Sequence, residues 1–167
     1  MLDHGPLSDA CAKGEILPLY ILEPDLWKQP DVSYRHFLYL QHYLSQLDGM
    51  FIKRGAKLVI KVGEALPVLK SLATRHNVKA IFSHYETWNK FSKDRDLAIR
   101  KWTDENSIDW KEYQQNGVVR NLNSRDGWST LWHSHMRKKI YEVPEKILCV
   151  SEAVSYTHLT LPTRRGG

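Results

Sequence analysis

The tightest constraint on this chain is a rhythm. Three short apolar runs, residues 16–22 (ILPLYIL), 57–62 (KLVIKV) and 79–85 (KAIFSHY), alternate with long segments whose apolar residues recur every three or four positions. Short runs rich in Ile, Leu, Val and Phe suit strands buried on both faces, and the longer spacing suits amphipathic helices. Strands alternating with helices build a parallel sheet, because parallel neighbours need a crossover between them. The expectation is therefore an α/β fold with helices flanking a parallel sheet.

The helices have readable ends. Ser33 can cap a helix whose stripe is Phe37, Leu40, Leu44, Leu47 and Phe51, with Gly55 as its stop. Residues 64–77 form a second helix with Leu66, Leu69, Leu72 and Ala73 inward. Ser92 is expected to cap a third over 92–106, and Pro6 opens a short helix over 6–13 that Gly14 ends. Residues 109–113 alternate polar and apolar, as an edge strand does. Past Gln114 the pattern gives way to a polar loop and a Trp-rich basic stretch.

Composition narrows the class. The 167 residues suffice for one domain with a real core, and 42% hydrophobic with 26% charged is ordinary for a globular protein. No apolar run approaches the roughly 20 residues of a membrane helix and no signal peptide opens the chain, so a cytoplasmic protein is expected. Cys11 and Cys149 fit neither a disulfide framework nor a zinc spacing. His133 and His135 lie two apart, on different sides of a helix, which argues against a metal there. There is no GxGxxG and no Walker A sequence. Nothing marks a catalytic residue.

Ligands of open parallel sheets bind at the C-terminal ends of the strands. Residues 84–89 (HYETWN) fall there. Glu86 either meets a ligand or serves locally, by capping the next turn or pairing with Lys90. Arg95 shares a helix face with Ala98, Ile99 and Trp102, so its guanidinium needs a carboxylate or a ligand anion. Arg120, Arg125, Arg137, Lys138 and Lys139, interleaved with Trp128 and Trp132, have the composition of a nucleic-acid surface. The same aromatic residues suit a face against which another domain docks, which is the favoured reading.

Several segments carry a resemblance when taken in order. They are LDHGPL (2–7), LPLYILEPDLW (17–27), RGAKLVIKVGEA (54–65), YETWN (85–89) followed by Arg95 and Asp96, and QNGVVRNLNSRDGW (115–128). Together they resemble the N-terminal domain of the DNA photolyase and cryptochrome family, over nearly all of residues 2–144. The resemblance implies a Rossmann-like α/β domain ahead of a helical domain that binds FAD and damaged DNA. In such proteins blue light excites reduced flavin, an electron passes to a cyclobutane pyrimidine dimer, and the dimer splits. The N-terminal domain holds an antenna chromophore, a folate or a deazaflavin, in many members. Carried onto this sequence, that role falls to Tyr85, Glu86, Asn89 and Arg95.

The departures from the family pattern shape the remaining expectations. The first strand, with its RxDLR signature, is expected to be absent, and in the order 3-2-1-4-5 it is the central one. Pro30 occupies the position of a folate-contacting histidine, and Trp128 sits in a GW context where many members carry TPF. Residues 1–144 are thus expected to form an incomplete antenna domain, 145–153 to begin an inter-domain linker, and 154–167 to be a non-native tail. The expected function is that of an antenna and scaffold fragment of a deoxyribodipyrimidine photolyase, inactive in repair by itself and monomeric when whole. A cryptochrome-like photoreceptor is the alternative, and a stand-alone nucleotide-binding module ranks below both.

Overall fold

A computed structural model describes residues 1–120, 122 and 124–152; the tail expected over 154–167 lies outside the described residues. The elements alternate as expected. They are α1 (Gly5–Lys13), β1 (Leu19–Leu22), a 3₁₀ turn (Leu26–Lys28), α2 (Tyr34–Ile52), β2 (Val59–Val62), α3 (Ala65–His76), β3 (Ala80–His84), α4 (Lys90–Glu105), β4 (Asp109–Tyr113) and α5 (Trp128–Met136).

The fold is α/β, with short parallel sheets flanked by helices. The strands make two separate two-stranded ladders, β1 with β2 and β3 with β4, both parallel. Among the described residues no ladder joins β1 to β3. The chain divides accordingly into two compact units, one of Met1–Ala12 with Lys79–Pro144 and one of Lys13–Val78 with the chain from Glu145 onward.

In the second of these units, β1 and β2 are joined through α2, which buries Phe37, Leu44 and Phe51 along one stripe. Leu22, Leu58, Val59 and Leu72 complete that core. Ser33 caps α2 as expected, in a reciprocal box with His36. Pro18 shortens the first strand: the apolar run from Ile16 becomes regular only at Leu19, while Ile16 forms a lone parallel bridge with Cys149. Glu23, just past β1 and buried, accepts the Ala65 N–H at 3.1 Å and so satisfies an orphan donor at the start of α3. The stretch after Glu145 belongs to this unit. Ile147 is 2% exposed and donates its N–H to Arg54, and Glu152 gathers Lys61, Arg75 and His76 at 2.5–2.8 Å.

In the other unit, α4 joins β3 to β4 in a register that runs from Ala80 opposite Asp109 to His84 opposite Tyr113. Ile99, Trp102 and Thr103 are the buried face of α4. Gly5 lies directly beneath the Tyr113 and Tyr141 rings, where a Cβ would stand 2.9 Å from each. Asp9 fastens α1 to β4 by accepting from Lys111 at 2.6 Å and Tyr113 at 2.5 Å.

One cap differs from expectation. Helix α4 begins at Lys90, and Asn89 rather than Ser92 is its N-cap. The Asn89 Oδ1 accepts the Ser92 N–H at 3.0 Å, while the Ser92 hydroxyl donates back to the Asn89 carbonyl. Ser92 is 2% exposed inside the first turn. Asn is as good a cap as Ser, and the extended backbone of Asn89 lets its short amide reach the free N–H groups of the helix start.

Candidate chromophore site

The C-terminal ends of β3 and β4 present a cluster of three arginines and three carboxylates. Tyr85 leaves β3 with its N–H on the Tyr113 carbonyl, prolonging the ladder by one bond. Its hydroxyl donates to the Val118 carbonyl at 2.7 Å. The Arg120 guanidinium lies over the Tyr85 ring, 4.5 Å from the centroid. Burial pushes the Tyr85 phenol up from its ordinary value, and the neighbouring Arg120 charge offsets part of that rise.

Arg95 settles the question of its partner. Its guanidinium reaches Glu86 at 3.1 Å and Asp96 at 2.9 Å. Lys90, the expected partner of Glu86, pairs instead with Asp94 one turn further along α4. Arg120 bonds the Glu86 carbonyl, Asp96 at 3.3 Å and Glu112 at 3.1 Å. Arg100 closes the chain on Glu112 at 2.7 Å and lies 4.2 Å over the Trp110 ring.

Tyr85, Glu86 and Arg95 are therefore brought together. Asn89 serves the same place by capping the helix that carries Arg95. The sequence reading missed Arg120 and Glu112. It grouped Arg120 with the downstream basic stretch, whereas Arg120 belongs to this cluster; the alternation of β4, which puts Glu112 on the same face as Trp110, was the available signal for Glu112. His84 closes β3 and lies 4.7 Å from His4, the two rings tilted by 60°, and the His4 Nδ1 accepts the Leu7 N–H at 3.1 Å. Burial, reinforced by the His84 charge, lowers the His4 imidazole to about 4, and burial lowers His84 as well.

The arrangement can hold a flat molecule with a polar edge. Tyr85 offers a ring face, Glu86 a half-exposed carboxylate and Arg95 a fixed guanidinium. Arg120, however, covers the Tyr85 face. Two cavities, of about 360 and 180 Å³, lie elsewhere, lined respectively by residues such as Ile52, Val59 and Cys149, and by Leu122, Arg125 and Trp128. No group of three metal-ligating side chains occurs among the described residues. No helix among them is long and apolar enough to cross a membrane.

The DNA photolyase family model matches residues 1–127, three quarters of the chain. The chain belongs to the DNA photolyase family. Among solved structures, the fold is similar to a bacterial class III photolyase from Agrobacterium tumefaciens, with a TM-score of 0.70 at 16% identity over 90% of this chain and 33% of that one. An archaeal photolyase from Sulfolobus tokodaii, described with two FAD molecules, is 26% identical over 87% of this chain and 34% of that one, with a TM-score of 0.64. A Synechocystis cryptochrome gives 0.72 at 20% identity, over 89% and 34%. The chain thus spans about a third of the length of each of these structures. A search of curated proteins finds no match. As the photolyase-family α/β domain, the chain carries its polar cluster at the strand ends, where ligands of open parallel sheets bind.

Proposed function

We propose that this chain is the antenna and scaffold part of a blue-light-driven flavoprotein that splits cyclobutane pyrimidine dimers. The family match over residues 1–127 carries the reading. The catalytic FAD and the contact with damaged DNA belong to a helical domain outside this chain. The cluster around Tyr85, Glu86 and Arg95 receives the light-harvesting chromophore, which supplies absorption and passes its excitation to the catalytic flavin. Tyr85 stacks on it, Glu86 accepts from its polar edge, Arg95 orients Glu86, and Asn89 fixes the start of the helix that bears Arg95. Folate and deazaflavin remain candidates, and the two FAD molecules of the Sulfolobus photolyase add a second flavin to them. The likeness to a cryptochrome supports, at the level of fold, a photoreceptor without repair activity as the second reading.

The experiment is equilibrium dialysis of the purified chain against a folate, a deazaflavin and FAD. Binding of one of them in the micromolar range, with the absorption band shifted from that of the free dye, is the expected result. Retention of none above an inert carrier protein would leave the domain a scaffold only.

A further inference from the structure

Two groups of cations in this unit contrast. Arg95, Arg100 and Arg120 are all neutralised by carboxylates in the strand-end cluster. Arg125, Arg137 and Lys138 are exposed and form no ion pair among the described residues. They bracket helix α5, and Lys139 beyond them has only a loose pairing with Glu142 at 3.8 Å. From Gly127 to Tyr141 the chain has no acidic residue.

Helix α5 buries none of its residues. Trp128 and Leu131 share one face with His135, at i, i+3 and i+7, and Trp128 remains 42% exposed and Leu131 45%. Met136 and Ile140 are more exposed still, at 52% and 58%. The two tryptophans differ in role. Trp132 is packed on Gly117, where a Cβ would stand 2.5 Å from its ring, whereas Trp128 leans on the Trp132 ring, centroids 6.3 Å apart, and donates its Nε1 to the Gly117 carbonyl at 2.9 Å. Its ring forms one wall of the cleft of about 180 Å³ whose other walls are Leu122 and Arg125. The His135 Nδ1 has no hydrogen-bond partner among the described residues.

We infer that this face binds single-stranded nucleic acid. A base enters the cleft, stacks on Trp128 and meets the Arg125 guanidinium, and the backbone phosphates run along Arg137, Lys138 and Lys139. Ring stacking with loosely placed cations is the chemistry of sequence-tolerant single-strand binding. The lack of any acidic residue from Gly127 to Tyr141, beside three cations unpaired among the described residues, favours a polyanion over a protein partner. The site is separate from the strand-end cluster and does not depend on a chromophore there.

The test is fluorescence polarisation of a labelled twelve-residue oligothymidylate with the intact chain, alongside quenching of tryptophan emission. Expected are micromolar binding at low salt, weaker binding of the matching duplex, and a log–log salt slope near −2, about 0.7 for each of three neutralised phosphates. Trp128→Ala should weaken binding about 5- to 100-fold. The pair Arg137→Glu and Lys138→Glu should abolish it, and the same charge change at Lys93 and Lys101 on α4 should leave it within about twofold. Circular dichroism of each variant verifies folding. Salt-insensitive binding, or equal losses in both charge-reversed pairs, would overturn the inference. So would absence of binding together with a Trp128-dependent change in sedimentation, which would assign the face to a second copy of the chain.

Discussion

At the scale of single residues, Asn89 separates a positioning role from a contact. Its side-chain oxygen is committed to the Ser92 N–H, so its removal should act through helix α4. Asn89→Ala is expected to cost about 1 kcal/mol in urea unfolding, the usual loss of a good cap, and Asn89→Asp or Asn89→Ser should restore it. A variant that keeps full stability yet loses chromophore binding would make Asn89 a direct contact instead. Arg95 shows how far local reading reaches. Its position beside Ile99 and Trp102 announced a buried cation in need of a partner, and Glu86 lies close enough in sequence to be the candidate. Arg120 was illegible for the opposite reason: a polar loop separates it from β4, and nothing in its own neighbourhood records the Tyr85 ring it covers.

At the scale of elements, two clusters set opposite ends of the acid range. His4 caps the start of α1 as a neutral imidazole, held near 4 by burial and by His84. The unfolded chain therefore takes up a proton below pH 6.5 that the folded one refuses until about pH 4, and stability falls as pH drops through that window. Glu152 is held down to about 2, first by its bond to Lys61 and then by His76 and Arg75. Its contribution is complete above pH 4.5 and disappears as pH falls towards 2. Thermal unfolding followed from pH 7 to 2 should thus show two losses. His4→Asn flattens the upper one and Glu152→Gln the lower one; a single loss unaffected by either variant would contradict both assignments. Strand and helix order was legible because apolar runs and three-four stripes arise from local geometry. The cap of α4 was not, since Asn89 and Ser92 are both good caps and only the backbone turn at Asn89 chooses between them. Helix α5 escaped notice because none of its residues is buried, leaving no core stripe to read.

At the scale of the whole molecule, the chain offers the photolyase-family α/β domain as two parallel ladders, each carrying its own crossover helix. The family was legible in a set of ordered segments although no one of them is diagnostic, and the matched residues 1–127 contain nearly all of them. The proposed chromophore site is the cluster at the ends of β3 and β4. There Arg120 takes the place on Tyr85 that a flat chromophore needs, so removing two neighbouring side chains should have opposite effects. The direct measurement is a fluorescence titration of the chain, its Glu86→Ala variant and its Arg120→Ala variant with whichever chromophore dialysis retains. Binding is expected to be at least tenfold weaker without the Glu86 carboxylate and several-fold tighter without the Arg120 guanidinium. Equal affinity for all three proteins would contradict the proposed site.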